Sequence, residues 1–183
     1  MAMRVGDRSL EASRTLTALR SIAMSNAGEL GNKLFTYPQY YGADGLFFAE
    51  DSLQTLRYTN DSIYSHLGAR PYSGGGKLNY LHALCYVDKG KFTALHYYLS
   101  ALLLKKRVDT FAEVISDFFE PGDTFPTHFK EAILMHQLNH PDYPFATTDS
   151  TLIQKYSAYK YRQTELKSKD TEMNQMRRDY GRE

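Results

Sequence analysis

Two imidazoles four residues apart are the first residues whose spacing suggests chemistry. His136-Gln137-Leu138-Asn139-His140 puts both rings on one face of a helix, the spacing that zinc sites use. In the zinc-protease pattern a Glu follows the first His as general base. Gln137 stands there and does not accept a proton, and Pro141 ends the helix as the second ligand arrives. Asp142 is a third ligand only with help from elsewhere in the chain. The pair therefore reads as helix-terminal imidazoles interacting with the helix dipole. His82 and Cys85 lie three apart on one helix, with His96 on the next. A Cys–His nucleophile pair needs an exposed thiol of low pKa. Cys85 sits among Leu81, Leu84 and Val87, which makes it a buried core thiol. Ser73-Gly74-Gly75-Gly76-Lys77 looks glycine-rich, but it lacks the spacing of a phosphate-binding loop and no strand precedes it. It reads as an inter-helix loop.

Charged groups give no better candidate. Lys105-Lys106-Arg107 ends a helix and complements its dipole. Glu113, Asp117 and Glu120 follow helical spacing beside a turn, which describes a solvated face. The remaining histidines, His66 and His128, stand apart from the others. The expectation is a non-catalytic protein-interaction or scaffolding domain that is not an enzyme, with no catalytic residue, no cofactor and no stoichiometric metal; the alternative is a metal-binding or enzymatic helical domain built around the histidines. One segment stays open to two readings. Tyr37, Tyr40, Tyr41, Phe47 and Phe48 fall between Thr36 and Phe48, a stretch broken by Pro38, Gly42 and Gly45. These rings pack a long loop onto the helices beneath, or they line a concave face that receives a peptide.

The elements that must position these residues are helices. Strand alternation is nearly absent, whereas apolar residues recur at three and four. The pattern predicts helices over about 9–26 (capped by Asp7 or Ser9), 29–35, 51–67 (capped by Asp51), 77–88 and 92–105. Gly28 and Gly68 end the first and third, and Gly90 suits a left-handed cap. Thr110 and Glu113 form a Thr-x-x-Glu capping box opening a helix to Phe119. Pro126 fits the first turn of one reaching His140, and a last helix starts near Asp149. Helical residues should exceed half of the chain, above the usual share of about a third.

About eight short helices joined by short turns imply antiparallel hairpins. The window from Ala83 to Ala101 is self-similar in a particular way. Ala83 and Tyr86 stand three apart, Gly90 marks a turn, then Ala94, Tyr98 and Ala101 recur at four and three. This resembles the tetratricopeptide repeat, where small residues let helices approach and an aromatic fills the hole between hairpins. Asn79 stands where that repeat prefers Trp, and His82 where Leu is usual. The resemblance implies an all-α chain of antiparallel helical hairpins stacked as a short degenerate tetratricopeptide-like solenoid. It also implies close burial of Ala83, Ala94 and Ala101, and a groove for a protein or peptide partner.

The phrases Leu34-Phe35-Thr36-Tyr37-Pro38-Gln39, Tyr64-Ser65-His66-Leu67-Gly68-Ala69 and Phe125-Pro126-Thr127-His128-Phe129-Lys130-Glu131-Ala132 are similar to those of an uncharacterised bacterial family. In that family membrane spans precede a helical-repeat region. The resemblance implies that this chain is the soluble part of a longer, membrane-tethered protein.

Composition bounds the remaining possibilities. At 183 residues, 42 % hydrophobic and 23 % charged, the chain is long and apolar enough for one packed core. A net charge of +1 carries no global signal for nucleic acid, and one cysteine excludes an intrachain disulfide. The longest uncharged apolar stretch, Tyr97 to Leu104, is too short to cross a bilayer. Charges at Arg4, Asp7, Arg8, Glu11 and Arg14 break any signal-peptide core. The expected division is one helical-repeat domain over 1–166, followed by a charged helix or tail over 167–183. Ten of the nineteen residues from Glu165 onward are charged.

Overall fold

The structure, a computed structural model, describes residues 13–49, 59–71, 75–87, 91–145, 147 and 149–167. Of these, 71 % are helical and none lies in a strand, so the chain is all-α as its periodicity predicts. The contacts group it into two units, Met1–Ala146 and Thr147–Glu183. The last helix, placed by sequence with the rest of the helical domain, falls in the second unit.

The first unit begins with α1 (Arg14–Asn26). Its start is later than the periodicity suggests because Ser13 is extended, at ψ 154°, and its Oγ accepts from the Leu16 N–H at 3.2 Å. The expected caps at Asp7 and Ser9 lie outside the described residues. Gly28, at φ 71°, turns the chain into α2 (Leu30–Lys33). A 3-10 turn, Leu34–Thr36, follows, and a second, Gly42–Leu46, lies within the predicted loop. Arg14 holds that second turn, its Nε donating to the carbonyls of Asp44 and Phe47 at 3.1 and 3.3 Å.

Of the helix predicted over 51–67, the structure describes the part from Thr59 onward, residues 51–58 lying outside the described residues. Thr59 is extended, so α3 runs Asn60–Leu67, and the proposed Asp51 cap lies outside the described residues. Asn60 does local work instead. Its side-chain amide accepts from the Phe48 N–H at 2.9 Å and donates to the Phe48 carbonyl at 3.0 Å. Helices α4 (Lys77–Tyr86) and α5 (Phe92–Leu104) follow the predicted positions closely. The Gly90 cap lies outside the described residues.

Helix α5 ends by a different device from the expected one. Lys106 takes the left-handed φ of 58°, its N–H donating to Leu103 and that of Arg107 to Leu102, both at 2.9 Å. This is the paired bonding of a Schellman turn, with a lysine in the place glycine usually holds. Helix α6 (Val108–Phe118) then begins at once, so Thr110 and Glu113 lie inside it and form no capping box. The Arg107 guanidinium takes up the Thr110 hydroxyl at 3.3 Å. Pro126 sits just outside α7 (Thr127–Asn139) rather than in its first turn.

The core of this unit is built around α5, whose Leu95, Tyr97, Leu99 and Leu102 are buried. It is joined by Leu30 and Leu34, Phe47 and Phe48, Leu81 and Leu84, Phe111 and Phe129. Each large apolar side chain contributes about 1.5–3 kcal/mol by leaving water. Ala94 and Ala101, both 1 % exposed, are buried as the close-packing pattern requires, whereas Ala83 is only half-buried. Helices adjacent in sequence pack together from α4 to α7. Helix α2, however, also packs on α5 and α7. A one-dimensional stack has contacts between neighbouring repeats only, so the α2–α7 contact lies outside that pattern. It is close and specific. A Cβ at Gly31 would stand 2.7 Å from the Pro126 Cβ, and the Asn32 side-chain oxygen accepts from the first N–H of α7 at 2.8 Å.

In the second unit, α8 (Ser150–Lys167) starts as predicted. The Asp149 carboxylate caps it by accepting from the N–H groups of Thr151 and Leu152 at 3.1 and 3.2 Å. Ile153, Tyr159 and Tyr161 are exposed along it. The charged tail from residue 168 lies outside the described residues. No helix among the described residues is long and apolar enough to cross a membrane.

Candidate functional site

The five aromatic residues singled out by sequence divide between surface and core. Tyr40 and Tyr41 are exposed, at 64 % and 42 %. Tyr37 is half-buried beneath the Arg20 guanidinium, 4.6 Å from its ring centroid. Phe47 and Phe48 are fully buried, Phe47 meeting the rings of Tyr64, Tyr80 and Tyr97 at 6.2–6.3 Å. Phe47 and Phe48 are therefore core residues and face no peptide groove. The 3-10 turn Gly42–Leu46 separates the two fates, carrying the chain from a solvated tip back under α5.

Cys85 is half-buried, and burial pushes its thiol up to about 12. A thiol of that pKa carries almost no thiolate at neutral pH and is a poor nucleophile. Neither neighbouring imidazole serves it. His82 stacks on Tyr86 at 4.6 Å, and His96 lies between Phe92 and Phe129 at 4.7 and 5.5 Å. Burial lowers the pKa of His96 and keeps it neutral. Of the glycine-rich stretch, Ser73 and Gly74 lie outside the described residues. Lys77 opens α4 with its Nζ 5.0 Å from the Phe47 ring centroid.

The structure assembles a different site, an open cleft of about 470 Å³ between α4 and α6. Helix α4 supplies one wall with Leu78, His82 and Tyr86, which share a face because they are four apart. The segment entering α6 and α6 itself supply the other wall with Arg107, Thr110, Glu113 and Asp117. Tyr98 from α5 and Val114 form the buried part of the lining. The two walls meet where the Tyr86 hydroxyl donates to an Asp117 carboxylate oxygen at 2.5 Å. Burial, together with that hydrogen bond, raises the Tyr86 pKa, so the phenol keeps its proton. The Tyr86 ring also packs edge-on against Phe118 at 5.0 Å.

The second assembly is where the start of α6 meets the end of α7. His136 lies in the last turn of α7 and His140 just beyond it, their rings stacked at 4.1 Å. The His136 Nδ1 is 3.1 Å from a carboxylate oxygen of Asp109, in the first turn of α6. Sequence spacing pointed to Asp142 as the nearby carboxylate. Asp109 is the one that arrives, because the start of α6 meets the end of α7.

No protein-family model, curated protein or solved structure matches this chain.

The cleft brings together groups whose positions were visible in sequence but not their association. Asn79, His82 and Tyr86 recur at helical spacing, as do Arg107, Thr110 and Asp117. Only the packing of α4, α5 and α6 makes one lining of them. Glu113 and Asp117, read from sequence as a solvated face, are exposed and also face this cleft. Its volume lies within the range of about 300–1,000 Å³ typical of ligand sites. A guanidinium, an imidazole and two carboxylates ring an apolar strip of Leu78 and Val114.

Proposed function

We propose that the helical unit Met1–Ala146 is a non-catalytic interaction domain that takes a peptide segment of a protein partner in the cleft between α4 and α6. In this reading α4 with α5 and α6 with α7 act as antiparallel pairs of a degenerate tetratricopeptide-like array. The observation that carries it is the lining of the cleft. Two helix faces converge on an open trough in which Tyr86 supplies a broad aromatic wall and Arg107, Glu113 and Asp117 supply charge. Tyrosine and arginine are the residues that dominate binding at interfaces, through large contact area and multidentate hydrogen bonding. The absence of catalysis is part of the proposal. The thiol pushed up to about 12, which carries almost no thiolate, supports it, as does the stacking of His82, the imidazole in the cleft wall, on Tyr86.

The test is selection of peptides from a random displayed library on the purified chain. Enriched peptides should carry a basic residue, which pairs with Glu113 and Asp117, next to an apolar one. Binding of a selected peptide should fall at least tenfold in a Glu113→Lys variant, because that exposed change reverses the charge of one wall without touching the core. Peptides that bind Glu113→Lys as tightly as the native chain would refute the cleft as the site.

A further inference from the structure

The polar groups at the junction of α6 and α7 do more than satisfy their own helices. Asp109 in the first turn of α6 and His136 in the last turn of α7 are each placed favourably for the helix dipole. That accounts for the residue types one by one. It does not account for their convergence with His140. One potential ligand atom from each of Asp109, His136 and His140 falls within 4.8 Å of the other two.

The geometry points to a site for a divalent transition ion of the zinc class, held by Asp109, His136 and His140 and bridging α6 to α7. Ligand atoms around a tetrahedral zinc, with bonds of about 2.0–2.2 Å, stand about 3.4 Å apart. The Asp109–His136 pair, at 3.1 Å, already has that separation. The cation takes the position between these two atoms. His140 follows Asn139, the last residue of α7, and its ring is exposed. Its Nδ1 is 3.2 Å from the His136 carbonyl, which orients the ring and leaves Nε2 to ligate. Metal-binding imidazoles are held in this way, the second nitrogen anchored to a carbonyl or carboxylate. Tyr143 braces His136 from the side, its ring edge-on at 4.7 Å. Two imidazoles and one carboxylate are a donor set for zinc and its neighbours in the first transition row, not for calcium or magnesium. The side chains of His136 and Asp109 are 11 % and 81 % exposed, so one ligand is packed in place and another is accessible to an arriving ion. Solvent completes the coordination.

The sequence conceals the site because Asp109 is remote from the histidines, while the nearer Asp142 distracts from it. Asp109 does not line the peptide cleft, although Arg107 and Thr110 on either side of it do.

The experiment is calorimetric titration of zinc chloride into the chelator-stripped full chain in a non-coordinating buffer, with cobalt(II) absorption as a second readout. One equivalent should bind to the native chain, and cobalt should give the intense visible bands of a tetrahedral site. Asp109→Asn and His140→Ala change exposed side chains and should keep the helical circular dichroism of the native chain. Each should weaken zinc by at least about tenfold, since even outer partners of a metal site are worth about 10–100-fold. The melting temperature of the native chain should rise with zinc and that of His140→Ala should not. Absence of binding to the native chain would overturn the proposal. So would unchanged affinity in either folded variant, which would place the ion on other residues.

Discussion

Tyr97 lies at the centre of the first unit with no exposed surface, and its hydroxyl has no hydrogen-bonding partner among the described residues. Its ring is held edge-on by Phe47 at 6.2 Å and by His66 at 6.4 Å. Replacing it with Phe preserves those contacts and removes only the oxygen. A buried hydroxyl without a partner costs about 1–3 kcal/mol, so Tyr97→Phe should stabilise the fold by about 2 kcal/mol. For a chain of this size that corresponds to a rise of about 4–8 °C in melting temperature. Urea unfolding should show a higher midpoint and an unchanged slope. The effect should grow with alkalinity. Burial raises the Tyr97 pKa above its unfolded value of about 10, so the folded chain keeps a proton that the unfolded chain releases. Native stability associated with Tyr97 is therefore complete below about pH 10 and is lost above it, by about 1.4 kcal/mol per pH unit. Tyr97→Phe lacks that loss. A variant equal to or less stable than the native chain at neutral pH would show that the hydroxyl is paired, and the reasoning would fail.

Ala94→Leu should overpack the buried face of α5 and cost about 1–3 kcal/mol, read as a lower urea midpoint. Gly31→Ala should cost a similar amount, because the added Cβ would stand 2.7 and 2.9 Å from atoms of the Pro126 ring, and the ring has little freedom to yield. His96, neutral between Phe92 and Phe129, has a pKa lowered by burial. Stability should accordingly fall as pH drops below the unfolded value of about 6.5, and a His96→Phe variant followed by thermal melts should show a smaller fall.

Helix positions were legible from sequence wherever an apolar stripe ran between a polar cap and a glycine or proline. Helix α7, between Pro126 and Pro141, comes nearest to this; α4 and α5 were placed by their apolar periodicity alone, without a side-chain cap. Errors arose where local polar patterns have two solutions. Thr110 and Glu113 have capping-box spacing, but the Schellman turn at Lys106 lets α6 begin before them. The aromatic segment could not be sorted from composition, because Tyr41 and Phe47 differ in exposure through a 3-10 turn that has no strong sequence signature. Both sites are long-range products. The cleft needs α4 and α6 side by side, and Asp109 meets His136 only when α6 and α7 are paired. Periodicity reports which face of a helix is buried but not which neighbour buries it.

The bond between Asn32 and Thr127 spans 95 residues. During synthesis at about 5–20 residues per second, the amide of Asn32 precedes its acceptor-seeking partner by about 5–20 s. For that interval α2 lacks its contact with α7, where Gly31 packs on Pro126 and Phe129. The amino-terminal helices must therefore wait for a late-emerging segment before their core can close, and the growing chain exposes apolar surface in the meantime. A nascent chain halted before Pro126 would leave the ribosome with that surface still open, a substrate for holding chaperones instead of a finished subdomain.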